Sequence, residues 1–227
     1  MKVPILLPNI FNHPFTYESK INLKVGDYVI VPFGKAKITG VVWNEFEKKT
    51  NKSFLIKQVL QKLHVPALKK NTIKFLNWFS EYNMTPKGMA LKLLLLSNNA
   101  IEKFSDENYI KFKSEIINNK IKLSIEQKDS LIKMNNLNKK FRVHVLQGIT
   151  GSGKTIVYFE ALKQLINKSF QGLIMLPEIG LTSQFEKKFI EFFGFNPAIW
   201  HSGVTKKNKK IIWSGIANGK IKVVIGA

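Results

Sequence analysis

The sequence predicts an α/β protein in two parts: a small β-rich module with helices, then a parallel sheet alternating with helices. Three observations carry that prediction. From Leu123 onward, short apolar runs alternate with segments of helical spacing, the βαβ succession of a sheet covered on both faces. Between one such run and the next helix stands Gly148-Ile149-Thr150-Gly151-Ser152-Gly153-Lys154-Thr155, which satisfies the phosphate-loop pattern G-x-x-x-x-G-K-[ST]. Ahead of Trp43, β-branched runs are punctuated by glycine and proline turn signals. At 227 residues the chain can hold one sizeable core plus a smaller module.

Residues 21–43 read as an antiparallel module. Gly26-Asp27 turns the chain, Tyr28-Val29-Ile30-Val31 extends it, Pro32-Phe33-Gly34-Lys35 turns it again, and residues 38–43 return with Gly40 inside. Leu55, Ile56, Val59, Leu60 and Leu63 suit a strand or a helix equally. Residues 71–82 read as a helix, because Ile73, Leu76, Trp78 and Phe79 fall at helical spacing behind an Asn71 or Thr72 cap. A second helix covers 89–96. Residues 97–122, polar and rich in asparagine and lysine, read as a linker with some helix. Beyond it the pattern gives a helix over 125–134, a buried strand over 143–147 and a helix over 154–166 with Val157, Ala161, Leu162 and Leu165 inward. A second buried strand over 172–176, a helix over 182–193, a short strand over 198–200 and a fourth strand over 222–225 complete it. The expected domains are therefore 1–96 and 123–227, joined by the linker 97–122. Parallel sheets carry function at the carboxyl ends of their strands, and the sequence stops directly after one, so a fragment is expected.

Lysine and arginine number 36 against 15 acidic residues, a net charge of +21. That excess suits a polyanionic partner such as nucleic acid. It equally suits AT-rich coding drift, since all basic residues but Arg142 are lysine and Asn, Ile and Phe are abundant. The excess is spread evenly along the chain and marks no face. With 44% hydrophobic residues but no apolar run near the ~18 that a membrane span needs, and no secretory leader pattern, a cytoplasmic protein is expected. The absence of cysteine excludes disulfides, thiolate metal sites and a thiol nucleophile in these residues.

The phosphate loop carries the plainest chemistry. Gly148, Gly151 and Gly153 let the backbone fold tightly, so that the amides of 148–155, Thr150 and Ser152 among them, turn toward phosphate oxygens at a helix N-terminus. Lys154 supplies a point charge for the β and γ phosphates, and the Thr155 hydroxyl is placed to ligate Mg²⁺. The plainer alternative is a glycine-rich turn with Lys154 idle. Upstream, Leu123-Ser124-Ile125-Glu126-Gln127 offers in Gln127 a donor and an acceptor that match the N6/N7 edge of adenine. Equally, the string is an ordinary helix start capped by Ser124.

Gly148 to Thr155 with Tyr158, then Leu176-Pro177-Glu178-Ile179-Gly180-Leu181-Thr182, His201-Ser202-Gly203 and Val223-Val224-Ile225-Gly226-Ala227 together resemble the first lobe of the PriA family of superfamily 2 replication-restart helicases. The resemblance implies a partial RecA-like P-loop helicase lobe that binds ATP and Mg²⁺, with Gln127 in the adenine-reading position. It implies DNA-backbone contacts through Glu178, Gly180 and Thr182 and through His201, Ser202 and Gly203. Without it, Glu178 and Thr182 read as helix-start residues and His201 as a strand-end histidine.

Toward the amino terminus, Phe15-Thr16-Tyr17, Gly26 to Gly34 and Gly40-Val41-Val42 resemble the same family's domain that captures the 3′ end of a nascent strand. The family's pocket falls on Phe15, Thr16, Gly34 and Lys57: a ring for stacking, a gap for close approach and a cation for phosphate. The family often has aspartate where Thr16 stands; threonine still hydrogen-bonds there but carries no charge. Without the resemblance these four read as β-module core and turn. The implied partners are branched, forked and single-stranded DNA, other primosome proteins and single-strand-binding protein, without a membrane.

The family's winged-helix insertion does not fit between Leu96 and Leu123. Its acidic Walker B motif, second RecA-like lobe and zinc-binding cysteines are missing from the sequence. Two functions are therefore expected in competition: the front portion of an ATP-dependent 3′-to-5′ helicase that restarts stalled forks, or a fork-binding chain with little or no ATPase. A P-loop kinase or transporter ATPase would leave residues 31–34 and 177–182 unexplained.

Overall fold

The computed structural model describes residues 1–47, 55–95, 101, 121–135, 141–178 and 182–227. The chain divides into two compact units, Met1–Asp106 and Glu107–Ala227.

The first unit is built on β1 (Lys2–Leu6), β2 (Phe15–Glu18), β3 (Tyr28–Phe33), β4 (Ala36–Val42) and β5 (Gln61–Lys62), hydrogen-bonded in the order β2-β1-β4-β3-β5 with every pair antiparallel. β3 and β4 form a hairpin in which Phe33 faces Ala36 across Gly34-Lys35. Gly34 has φ +60, a conformation that short hairpin turns demand and that glycine adopts without strain. The segment after Lys57 then covers both outer strands. Glu18 N donates to Lys57 O at 2.9 Å and Val59 N to Glu18 O at 2.8 Å, while Leu60 N reaches Ile30 O at 2.9 Å and Leu63 N reaches Tyr28 O at 2.8 Å. One stretch of chain thus pairs with β2 on one side and β3 on the other, removing the edges that would template aggregation.

Val3, Ile5, Leu7, Tyr17, Leu23, Val29, Val31 and Val42 fill this sheet, with Phe15, Phe33 and Val59 packed against them. Burial pushes the Tyr17 and Tyr28 phenols up to about 12. The buried Asp27 carboxylate accepts from Lys24 N at 2.8 Å and from Lys62 Nζ at 2.6 Å, tying the turn before β3 to the closing strand.

The sheet starts far earlier than residue 21, where the sequence pattern places it. Pro4 and Pro8 obscure β1, yet Pro4 pairs with Thr16 of β2 and needs no amide toward β4, which β1 meets only at Ile5 and Leu6. Helix α1 (Lys70–Tyr82) buries Ile73, Leu76 and Ser80, and α2 (Lys87–Leu95) buries Gly88, Ala90, Leu91 and Leu95. The ambiguous 55–63 run becomes the short β5 and its approach.

The second unit comprises α3 (Ile125–Asn135), α4 (Lys154–Asn167), β6 (Gly172–Met175), α5 (Thr182–Phe193), β7 (Ala198–Trp200), α6 (Lys206–Ala217) and β8 (Val223–Gly226). Its strands are parallel in the order β6-β8-β7, with Met175, Gly226 and Trp200 in register. One aromatic-rich core gathers Phe159, Leu162 and Ile166 of α4, Phe189, Phe192 and Phe193 of α5, Phe195, and Val223 and Ile225 of β8. A separate cluster packs Ile212 of α6 with Ala198 and Ile221. Helix α6 escaped the sequence reading; its start is capped by Thr205, whose Oγ1 accepts from Asn208 N at 3.3 Å.

Three expectations are overturned. The first helix begins at Lys70 behind Lys69, without the Asn71 or Thr72 side-chain cap, and the strand expected to be buried at 172–176 leaves Leu173 and Met175 each 67% exposed. Residues 143–147 form no strand, and Val143 and Val145 are 75% and 89% exposed rather than buried. An apolar run becomes a strand only when a neighbour takes its backbone hydrogen bonds, and among the described residues the sheet of this unit holds β6, β8 and β7 alone. The strand expected at 222–225 lies at Val223–Gly226, and it is the third strand of the sheet, not the fourth.

Candidate functional site

In the first unit the residues that matter are aromatic. β2 begins at Phe15, and its ring meets Phe33 at 5.3 Å between centroids, edge to face. Phe33 directly precedes Gly34, so the ring contact brings Phe15 near that turn although β2 pairs with the far end of the sheet. Phe11 stands 5.3 Å from Phe15, and His13 stands 4.9 Å from it. His13 Nδ1 lies 3.4 Å from a Glu47 carboxylate oxygen. The result is a half-exposed ring cluster beside a bare turn, with a carboxylate at its rim.

Lys57 lies beside Glu18 through its backbone, three residues and so about 10 Å farther along β2 than Phe15; its side chain is exposed. Thr16 faces the opposite side of the strand from Phe15, as strand alternation requires. Phe11, His13, Phe33 and Glu47 were not singled out from sequence. The signal was there, in rings at every second position from Phe11 through His13 and Phe15 to Tyr17.

The second unit holds the phosphate loop. Gly151 and Gly153 have φ +85 and +78 with Ser152 between them in ordinary backbone, the alternation that turns successive amides toward one side. Nothing lies within 4 Å of where a Gly151 side chain would stand, so that face of the loop is open. Ser152 N closes a turn onto Ile149 O at 3.3 Å, and α4 begins at Lys154 directly after Gly153. The Lys154 ammonium donates to the carbonyls of Gly148 and Ile149, both at 2.7 Å, which places the cation on the loop itself. Thr155 Oγ1 accepts from the Tyr158 hydroxyl at 3.4 Å. Burial raises the Tyr158 phenol, and the Thr155 contact opposes the rise.

Gln127 caps its helix and also reaches the phosphate loop. Its Oε1 accepts from Ser124 N at 3.0 Å while Ser124 Oγ accepts from Gln127 N at 3.2 Å, a reciprocal cap at the start of α3. The Ser124 hydroxyl also donates to Glu126 at 2.7 Å and holds that carboxyl below its usual range. Its Nε2 meanwhile donates to Ser152 O at 3.1 Å, and a side chain at Gly153 would run into it. A second N–H and a second lone pair of the amide remain for a ligand.

The remaining candidates lie on the carboxyl edge of the sheet. Leu176 and Glu178 follow β6, and His201, Ser202 and Gly203 follow β7, with β8 between them. His201 Nδ1 accepts from Gly203 N at 3.1 Å, and Lys209 Nζ reaches Ser202 O at 3.4 Å. Glu178 is exposed. Gly180 lies outside the described residues, and Thr182 opens α5. Helix α4 packs on β6 and ends a few residues before it, so it must run antiparallel to that strand and carry the phosphate loop toward the same edge. Among the described residues no cluster of His, Asp or Glu could hold a metal by itself. The donor set present, one hydroxyl at Thr155 beside a phosphate cradle, fits a magnesium ion that arrives with a nucleotide.

Two family models match the chain: a 3′ DNA-binding domain over residues 2–95 and the res subunit of type III restriction enzymes over residues 120–227. Among curated proteins, the replication restart protein PriA of Rickettsia felis is 41% identical over 229 residues, which is 98% of this chain and 34% of the relative. That of Rickettsia conorii is 39% identical over 231 residues, with the same coverage. That of Bacillus subtilis is 35% identical over 86 residues, 38% of this chain and 11% of its own. The chain spans about a third of the length of the Rickettsia relatives it matches.

Proposed function

Because this chain belongs to the family of the replication restart protein PriA, we propose that its two units divide a DNA-dependent motor between them, the first holding DNA and the second ATP. In the first unit the 3′-terminal base stacks on Phe15. Gly34 leaves room for its sugar, and Lys57 takes a phosphate farther along β2. Thr16 adds a hydroxyl without charge beside the strand end.

In the second unit ATP and Mg²⁺ sit against the amides of 148–155. Lys154 leaves the carbonyls of Gly148 and Ile149 for the β and γ phosphates, and Thr155 holds the metal ion. Gln127 reads adenine while fastened to Ser152, which couples base recognition to the shape of the phosphate loop. Glu178, Gly180 and Thr182, and His201 to Gly203, meet a DNA backbone, as the family resemblance implies. In the longer family members this assembly supplies the front part of an ATP-driven 3′-to-5′ helicase that rescues stalled forks with the primosome and single-strand-binding proteins. The observation that carries the reading is the left-handed pair Gly151 and Gly153 opening an amide-lined face ahead of α4.

A competing reading is a fork-binding chain with little ATPase of its own. It is favoured by the Lys154 ammonium, which is already engaged by the carbonyls of Gly148 and Ile149. Nucleotide binding, fork binding and DNA-stimulated ATP hydrolysis by the 227-residue chain test both. Lys154→Ala is expected to lower ATP affinity at least about tenfold while leaving fork affinity unchanged. Phe15→Ala is expected to do the reverse. Unchanged ATP binding in Lys154→Ala would remove the nucleotide site, and substantial hydrolysis by the unaltered chain would remove the non-catalytic reading.

A further inference from the structure

Helix α1 turns its aromatic side chains away from the core. Ile73, Leu76 and Ser80 form its buried side. At 100° per residue Phe75, Trp78 and Tyr82 fall on the opposite side, and they are 53%, 53% and 72% exposed. The Trp78 and Tyr82 rings stack on each other at 5.2 Å and 22°, and Phe75 leans on Trp78 at 5.8 Å. A surface helix ordinarily carries polar residues there, and a contiguous patch of rings in water marks a contact surface.

Codon drift does not account for the tryptophan. The bias that favours Lys, Asn, Ile and Phe codons works against Trp, whose codon holds two guanines. Of the four tryptophans, Trp43, Trp200 and Trp213 are buried or half-buried, whereas Trp78 stands in the open.

The charge beside the rings says what the surface meets. Lys70, Lys74, Trp78 and Tyr82 follow one another every fourth residue, a single row about 18 Å long on the helix surface. Lys69, Lys70 and Lys74 are all exposed, no acid stands in the first turn of α1, and none of the three lysines forms an ion pair among the described residues. Cations in line with stacked rings match a single nucleic-acid strand, whose phosphates take the charge while its bases take the ring faces. A protein partner would call for apolar burial without a row of uncompensated lysines.

We propose that this face of α1 is a second single-strand contact, in which bases stack on Trp78 and Tyr82 and phosphates pair with Lys70 and Lys74. It rests on the reading that the first unit binds DNA, but it differs from the Phe15 cluster in one respect: it needs no strand end.

That difference separates the two in one experiment on the 227-residue chain. The probes are an oligo(dT) of about 20 nucleotides with a free 3′ hydroxyl and the same strand closed by a 3′ phosphate. Trp78→Ala with Tyr82→Ala is expected to weaken binding of the closed strand at least about thirtyfold, the worth of two lost stacking contacts. The double change to phenylalanine should restore most of it, and Lys70→Glu with Lys74→Glu should weaken binding and flatten its salt dependence. All four side chains are exposed, and an unchanged far-ultraviolet circular dichroism spectrum shows that the fold is kept. Phe15→Ala should instead remove only the difference between the open and closed strands. If that difference persists in Phe15→Ala while the α1 variants weaken both strands, the end-pocket reading fails and this one stands. Closed-strand binding within twofold of the unaltered chain in Trp78→Ala with Tyr82→Ala overturns the proposal. So does failure of the phenylalanine pair to rescue, or a loss of self-association in place of DNA binding, which would assign the face to a second copy.

Discussion

The two units bury their apolar residues with very different completeness. In the first, one stretch of chain after Lys57 bonds to β2 and β3 together, so the sheet has no open side and Val3, Ile5, Val29 and Val31 are sealed within it. In the second, a parallel sheet of β6, β8 and β7 leaves Leu173 and Met175 exposed, and Val143 and Val145 stand clear of it. Both sheets draw on segments tens of residues apart, Ile5 with Val42 in the first and Ala198 with Val224 in the second, and among the described residues only the first has a further stretch of chain to cover its outer strands. The candidate sites follow suit: the rings around Phe15 are held by core packing, while the phosphate loop is held by movable side chains, Lys154 on its carbonyls and Gln127 on Ser152.

The sharpest test compares two left-handed glycines. Gly26, at φ +95, has the backbone carbonyl of Leu68 where a side chain would stand, so Gly26→Ala is expected to cost about 3 kcal/mol or to unfold the first unit. Gly153, at φ +78, faces only the flexible end of Gln127, and Gly153→Ala should cost about 1 kcal/mol while freeing that amide from Ser152. Urea unfolding of both variants measures the gap; equal losses would mean that the phosphate loop is as rigid as the closed sheet.

A second test makes one substitution in both units. Val29→Ala removes fully buried methyl groups and should cost about 2 kcal/mol, while Val145→Ala, at an exposed position, should stay within about 0.5 kcal/mol. A large loss at Val145 would show that this segment packs in solution and that the contrast between the units is overdrawn.

The smallest effect is alkaline. Tyr17 and Tyr28 have folded values near 12 against an ordinary 10.0, so the protonated form is the one the fold favours. Their contribution is intact below pH 10 and is lost as pH rises through 12, about 1 kcal/mol for each tyrosine near pH 11. Tyr17→Phe would sharpen this by removing its share of the alkaline slope, at the cost of its hydrogen bond to Pro32 O at 3.1 Å. A slope that persists unchanged in that variant would place the sensitive group elsewhere.

Legibility differed residue by residue. The phosphate loop could be read directly because its glycines, lysine and threonine act through local backbone geometry that no distant contact supplies. The Ser124 to Gln127 string showed its cap but not its bond to Ser152, since that bond joins positions 25 residues apart. β1 and β2 were hidden because proline and short length oppose strand formation locally, and only the pairing of Pro4 with Thr16 and of Ile5 with Val42 overrides that preference. The same reasoning explains the misplaced strand at 143–147, where local apolar character had no partner to act on.

What the order of amino acids determined unaided was therefore whatever depends on near neighbours: helix spacing, the Gly34 turn, the phosphate loop and the sign of the charge. Which segments close a sheet, which rings gather around Phe15, and which rings of α1 are left facing water were decided only in three dimensions. Burial and pairing depend on residues far apart in the chain, and no local pattern records where those residues will meet.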